Sequence, residues 1–96
     1  MVEIRRTDIF ANWLRNLPDR VAVAKVAARI DRLAAGNFGD VAPVGRGVSE
    51  LRIHYGPGYR IYLQQIGPSR YLLLCGGDKG TQSKDIERAK ALSNEL

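Results

Sequence analysis

The sequence has few of the residues from which metal sites and disulfide frameworks are built. Cys75 is its single cysteine and His54 is its single histidine. One cysteine excludes an internal disulfide and a cysteine-rich zinc site, and one histidine argues against a metal site built on imidazoles. No stretch approaches the roughly 20 apolar residues of a membrane span, and no apolar leader segment is present. We therefore expect a cytoplasmic protein that uses no cofactor.

The residues that are present fit one small globular domain with an anionic partner. The chain has 96 residues, of which 45% are hydrophobic and 26% charged, and we expect a single domain over residues 1–96. Fifteen Lys and Arg residues against ten Asp and Glu residues give a net charge of +5. An excess of this sign favours nucleic acid, an acidic protein or a membrane surface as the partner.

The first third of the chain has the pattern of a short strand followed by two helices. Alternation over residues 2–5 is typical of a strand with one buried face. Apolar residues then recur at helical spacing between Thr7, a suitable N-cap, and Pro18, which ends the helix. Helical spacing resumes over residues 20–35 behind a second N-cap, Asp19. Because the turn between them is short, the two helices are expected to form an antiparallel hairpin.

The rest of the chain alternates with a period of two between turns rich in glycine and proline. This pattern predicts an antiparallel meander of at least three strands, at residues 48–55, 59–66 and 71–75. The preceding segment, residues 39–47, is expected to be a loop containing at most a short strand at 41–44. A glycine-rich break is expected at residues 76–80.

A last helix is predicted over residues 81–96, with four apolar side chains facing inward: Ile86, Ala89, Leu92 and Leu96. The element order is then β-α-α-β-β-β-α. We expect an α+β fold in which the helical hairpin packs on one face of a small, mostly antiparallel sheet.

The turn at residues 56–58 brings polar side chains together in the predicted sheet. If Tyr55 pairs with Tyr59 across this turn, His54 lies opposite Arg60 and Arg52 lies opposite Tyr62. All four side chains then share the face without the core residues. Two guanidinium groups, an imidazole and a phenol then share one patch. Because like charges repel at such short range, an anion is the natural occupant.

The basic residues also have a simpler interpretation. On an ordinary solvated sheet face, the two arginines would pair with Glu50 and Gln64 instead of an anion. A second basic set, Lys25, Arg29 and Arg32, follows one side of the second predicted helix. It is either a solvated helix face or a ridge that binds phosphates or an acidic partner protein.

Four segments carry motifs that occur together in one protein superfamily. They are residues 36–40, 43–53, 56–62 and 76–82, which include Glu-Leu-Arg-Ile and Gly-Tyr-Arg-Ile-Tyr. In these segments the chain resembles the RelE/ParE toxin superfamily, and most closely the HigB-like addiction module killer group of bacterial type II toxin–antitoxin systems. The resemblance spans essentially the whole chain and implies the β-α-α-β-β-β-α fold. It also implies a growth-inhibiting toxin that is neutralised by a cognate antitoxin in a hetero-oligomer, with no membrane partner.

The superfamily contains two activities. RelE- and HigB-type members cleave messenger RNA, generally on the ribosome, whereas ParE-type members inhibit DNA gyrase. We expect the first, a metal-independent endoribonuclease or mRNA interferase, with gyrase inhibition as the alternative.

For RNA cleavage, the resemblance implies roles for particular residues. Arg52 and Arg60 match the strand positions that hold the phosphate, and His54 is the best candidate for proton transfer because it titrates near neutral pH. Cleaving members often have a catalytic Tyr or His near the C-terminus, which residues 85–96 lack, so Tyr62 is the candidate substitute. Further RNA contacts are expected from basic residues around the last helix: Lys79, Lys84 and Arg88.

Overall fold

A computed structural model describes residues 2–95, which form a five-stranded sheet with helices on both faces. The elements are β1 (Glu3–Arg6), α1 (Asp8–Arg15), α2 (Arg20–Ala34), β2 (Val41–Gly45), β3 (Val48–Ile53), β4 (Tyr59–Gly67), β5 (Arg70–Gly77) and α3 (Gln82–Asn94), with a 3₁₀ turn at Lys79–Thr81. The predicted α+β class is confirmed. The expected inward position of Leu96 lies outside the described residues.

The sheet has the strand order β1-β5-β4-β3-β2, with β1 parallel to β5 and all other pairs antiparallel. Four strands follow the helical hairpin, where the sequence predicted at least three, with a possible short strand at residues 41–44. The additional strand is β2, which pairs along β3 through a two-residue turn at Arg46 and Gly47. Both turn residues have positive φ, 55° and 75°, as tight hairpin turns of this kind require. Pro43 fits this position because β2 is an edge strand, and proline is tolerated in strands mainly at sheet edges.

Both helices of the hairpin begin at the predicted caps. The Thr7 hydroxyl accepts a hydrogen bond from the Phe10 backbone N–H at 3.0 Å. The Asp19 carboxylate accepts two, from the Val21 and Ala22 backbone N–H groups. Each cap satisfies backbone donors that the first helical turn leaves unpaired. Within residues 2–95, no helix combines the length and the apolar character that crossing a membrane would require.

The two faces of the sheet carry separate cores. Helices α1 and α2 cover one face, where Phe10, Val26 and Leu33 pack against Leu51 and Ile61. This arrangement confirms the predicted position of the hairpin. Helix α3 covers the other face, so that face is not open to solvent as the sequence analysis assumed. Three predicted inward residues of α3 pack there against the sheet: Ile86, Ala89 and Leu92.

Strand β5 continues through Gly76 and Gly77, where the sequence predicted a break. A Cβ atom on Gly76 would collide with the Trp13 ring, and one on Gly77 would collide with the Asp85 carboxylate. The two glycines therefore let α1 and α3 approach opposite faces of the same strand end. They serve close packing, because a missing Cβ is what allows another group to come so near the backbone.

Candidate functional site

The predicted pairing across the β3–β4 turn is wrong by two residues. Arg52 lies opposite Arg60 and Glu50 lies opposite Tyr62, so His54 falls beyond the end of the strand. The turn is longer than expected because Tyr55 does not pair with Tyr59. The Tyr55 hydroxyl donates a hydrogen bond at 2.7 Å to the Asp19 carboxylate at the start of α2. His54 therefore does not lie opposite Arg60, and it is linked to Arg52 only through Asp40, whose other oxygen lies 3.7 Å from Arg52 Nη1.

The patch that remains is organised around the buried carboxylate of Glu50. Its oxygens accept hydrogen bonds from Arg52 Nε at 3.0 Å, Tyr62 Oη at 3.1 Å and Gln82 Nε2 at 3.0 Å. Arg60 Nε lies 3.5 Å away as an ion-pair partner. The anion that the two arginines require is thus supplied by the chain itself. This is the pairing with Glu50 that the sequence analysis left open, although Gln64 takes no part in it.

The ionisation of this cluster follows from its burial. Burial alone would raise the pKa of Glu50, but the hydrogen bonds from Gln82, Arg52 and Tyr62 and the charge of Arg60 hold it below its ordinary value. Burial, reinforced by the neighbouring Glu50 charge, raises the pKa of Tyr62 far above its ordinary range. Tyr62 is fully buried and keeps its proton as a hydrogen-bond donor. The sequence analysis placed this phenol on an exposed patch, which is wrong because α3 covers it.

His54 lies just beyond the end of β3, beside a second carboxylate, that of Asp40. Its Nε2 is 2.6 Å from Asp40 Oδ2, and its side chain is 78% exposed. The hydrogen bond from His54, together with the charges of Arg52 and Arg29, holds the pKa of Asp40 below its ordinary value. An ionised carboxylate only accepts hydrogen bonds, so Nε2 carries the proton. In the neutral ring, Nδ1 is then the proton acceptor and is open to solvent.

The same histidine lines a small groove with the basic ridge of α2. The groove has a volume of about 240 Å³ and is formed by Lys25, Ala28, Arg29, Arg32, Ile53 and His54. The sequence analysis identified the ridge and the histidine separately and assigned them to different surfaces. Their convergence places three cationic side chains around one exposed imidazole, an arrangement suited to a phosphate group.

The three cations of the groove have different roles. Arg29 is half-buried and donates to the backbone carbonyls of Arg52, Phe38 and Asp40, which ties α2 to the segment that carries Asp40. Lys25 and Arg32 are exposed, and neither has a carboxylate within 4 Å among residues 2–95. Lys25 Nζ lies 5.3 Å above the Tyr55 ring, which keeps it near the groove. Arg29 therefore positions the groove, and the other two cations are available to a ligand.

The remaining predicted RNA-binding residues lie away from this groove. Lys84 and Arg88 are exposed on α3, which packs on the opposite face of the sheet. Lys79 is exposed in the 3₁₀ turn before α3, whose N-cap is Asp78. The structure does not bring these three residues together with His54.

Asp40 was not singled out from the sequence, although it is the hydrogen-bond partner of the only histidine. It follows a glycine in an irregular segment, fourteen residues before His54, and no periodic pattern links the two. Gln82 was missed for the same reason, since it contacts Glu50 across thirty-two residues. The one indication of Asp40 in the sequence is its residue type, a carboxylate in the segment just before the short strand expected at residues 41–44.

Comparison with known proteins places the chain in a family. No family model matches the sequence. An uncharacterized protein of Haemophilus influenzae (strain Rd) is 50% identical over 95 residues, which cover 99% of this chain and 96% of the relative. The chain belongs to the same family as that protein. The match extends over both the Glu50 cluster and the His54 groove, so the two proteins are similar throughout the domain that holds them.

Proposed function

We propose that this chain is the toxin of a bacterial type II toxin–antitoxin module and that it cleaves messenger RNA on the ribosome in the cytoplasm. The resemblance of the four segments to RelE/ParE toxins supports the toxin assignment, and the basic charge supports an RNA substrate. The observation that carries the activity is the hydrogen bond between His54 and Asp40 at the mouth of a cationic groove.

The groove offers a proton acceptor and cations, two of the groups that RNA cleavage by an internal nucleophile uses. The ribose 2′-hydroxyl attacks the adjacent phosphorus and its proton passes to Nδ1 of His54. The bond from phosphorus to the 5′-oxygen breaks as a water molecule protonates that oxygen, and the imidazolium then returns its proton to solvent. This gives a 2′,3′-cyclic phosphate on one fragment and a 5′-hydroxyl on the other. Asp40 holds the imidazole in the required tautomer and stabilises the imidazolium that forms.

Lys25 and Arg32 supply the electrostatic part of the proposed mechanism. Charge accumulates on the phosphate oxygens in the transition state, and fixed cations stabilise it more than they stabilise the substrate. In this mechanism they take the place that the sequence analysis gave to Arg52 and Arg60. Both arginines are held by Glu50, and Arg52 also lies 3.7 Å from Asp40 Oδ1, where it supports the carboxylate that holds His54.

The test is to induce the protein in bacterial cells, map the 5′ ends of transcripts, and measure gyrase-dependent DNA breaks in the same cultures. The proposal predicts new 5′-hydroxyl ends within coding regions and no increase in breaks. His54→Gln should remove the new ends, while the matched control Gln64→His, which adds an imidazole elsewhere, should keep them. DNA breaks without new RNA ends would instead establish the gyrase alternative.

A further inference from the structure

A second basic groove lies on the other side of α2 from His54. It has a volume of about 570 Å³ and is lined by Arg6, Ala11, Leu14, Arg15, Leu17, Pro18, Arg20 and Val23. A helix turns about 100° per residue, so Arg20 and Val23 point away from Lys25, Arg29 and Arg32. The two grooves therefore open on different surfaces of the protein.

The second groove combines an apolar floor with three cations. Leu14, Leu17 and Val23 are only partly buried, so their side chains remain accessible along the groove. The arginines that line it, Arg6, Arg15 and Arg20, are exposed, and within residues 2–95 no carboxylate lies within 4 Å of any of them.

The contacts that these arginines do make leave their charge uncompensated. Arg15 Nη1 donates to the neutral Asn12 side chain at 2.9 Å, and the Arg6 guanidinium lies 5.8 Å from the Phe10 ring. Both partners are uncharged, so neither contact neutralises the positive charge of its arginine. The groove is therefore preorganised for a ligand that has both apolar and acidic groups.

We propose that this groove binds an acidic, amphipathic polypeptide segment of a partner protein. Apolar side chains of the segment cover Leu14, Leu17 and Val23, and its carboxylates pair with the three arginines. Complementary charge gives such an interface its specificity and its fast association. A nucleic acid fits less well, because the lining residues include no aromatic ring on which a base could stack.

The position of the groove has a consequence for the partner. The sequence analysis assigned partner binding to the ridge of Lys25, Arg29 and Arg32, which lines the His54 groove. A segment bound between α1 and α2 leaves that ridge free. The two grooves share no lining residue, so binding of a partner segment in the second groove does not require RNA cleavage in the first.

The experiment uses the full chain and a synthetic 16-residue peptide with leucines at helical spacing and glutamates on both flanks. NMR titration should shift the backbone amides of Ala11, Leu14 and Val23 and leave those of Ala28 and Arg32 unchanged. The double variant Arg15→Glu and Arg20→Glu should weaken binding by about tenfold or more, and 0.5 M salt should weaken binding to the wild type. The control Arg46→Glu and Arg88→Glu changes the net charge equally at exposed sites elsewhere.

Several outcomes would overturn the proposal. The first is that the peptide shifts only the backbone amides of the His54 groove. The second is that the control variant weakens peptide binding as much as the double variant of the groove. The third is that a peptide with lysines in place of the glutamates binds with the same affinity. A single-stranded oligonucleotide that shifts the same amides more strongly than the peptide would assign the groove to nucleic acid instead. Thermal unfolding of both double variants checks that the fold is kept. Because the titration measures no cleavage, its result is independent of the proposed RNA activity.

Discussion

His54 and Asp40, fourteen residues apart in the chain, are joined by a 2.6 Å contact between an imidazole nitrogen and a carboxylate oxygen. The contact crosses from the end of β3 to the segment that precedes β2. Arg29 holds that segment from α2 through the carbonyls of Phe38 and Asp40. The orientation of the one imidazole in the chain therefore depends on two elements besides its own.

The first prediction concerns this pair. Asp40→Asn should lower the rate of RNA cleavage by roughly 10²-fold or more, because an amide cannot stabilise the imidazolium as a carboxylate does. Stability should change little, since the side chains of His54 and Asp40 are 78% and 41% exposed and exposed ion pairs contribute little to folding. Single-turnover cleavage and urea unfolding measure the two effects. The control is Asp31→Asn, an exposed substitution on α2; an equal loss of activity in that variant would contradict a specific role for Asp40.

The second prediction separates the two basic surfaces. Lys25→Ala combined with Arg32→Ala should weaken binding of single-stranded RNA and reduce the slope of log K against log salt by about 1.4, or about 0.7 for each lost phosphate contact. Lys84→Ala combined with Arg88→Ala, on the opposite face, should leave both quantities unchanged. Fluorescence anisotropy at several salt concentrations gives the slopes. If the α3 variant lost more affinity than the α2 variant, the RNA surface would be the one that the sequence analysis first proposed.

The third prediction concerns the buried Glu50 cluster. Glu50→Gln should lower the free energy of unfolding by about 3–5 kcal/mol, because it leaves Arg60, whose side chain is only 13% exposed, without its counter-charge. Glu87→Gln, an exposed change of the same kind on α3, should stay within about 0.5 kcal/mol of the wild type. Urea denaturation measures both. A small effect of Glu50→Gln would mean that water reaches the cluster and solvates Arg60.

The ionisation of Glu50 should also affect how the stability of the protein depends on pH. The pKa of Glu50 is lower in the folded protein than its ordinary value of 4.5. Its contribution to stability is therefore complete above that value and is lost as the pH falls through the folded pKa. The wild type should lose stability steeply below about pH 4.5, and Glu50→Gln should show a shallower decline over the same interval. Identical acid slopes for the two proteins would contradict an ionised, stabilising Glu50.

Local features of the sequence were sufficient to predict most of the elements, and long-range contacts account for what was missed. Thr7 and Asp19 cap their helices through hydrogen bonds within three residues, which a sequence pattern can capture. The β3–β4 register differs from the predicted one by two residues, and Tyr55, in the turn, bonds to Asp19 across thirty-six residues, a contact that no local pattern encodes. Because the register differs, His54 lies beside Asp40 and not opposite Arg60 as predicted.

The composition of each sheet face was also partly predictable. Alternation correctly separated Leu51 and Ile61 from Glu50 and Arg52. It could not show that α3 would cover the second face, because α3 is a polar helix with a narrow apolar side. Glu50 is buried only because Arg52, Tyr62 and Gln82 converge on it from three elements.

The measurement that tests the central claim most directly is single-turnover cleavage of a messenger RNA on translating ribosomes by the wild type and by His54→Gln. The account predicts 2′,3′-cyclic phosphate and 5′-hydroxyl ends with the wild type, and a rate about 10²–10⁴-fold lower with the variant. A 2′-deoxy substitution at the mapped site should block wild-type cleavage, while binding of that RNA stays equal for both proteins. Cleavage by His54→Gln at the wild-type rate would contradict the account, as would intact RNA with the wild-type protein.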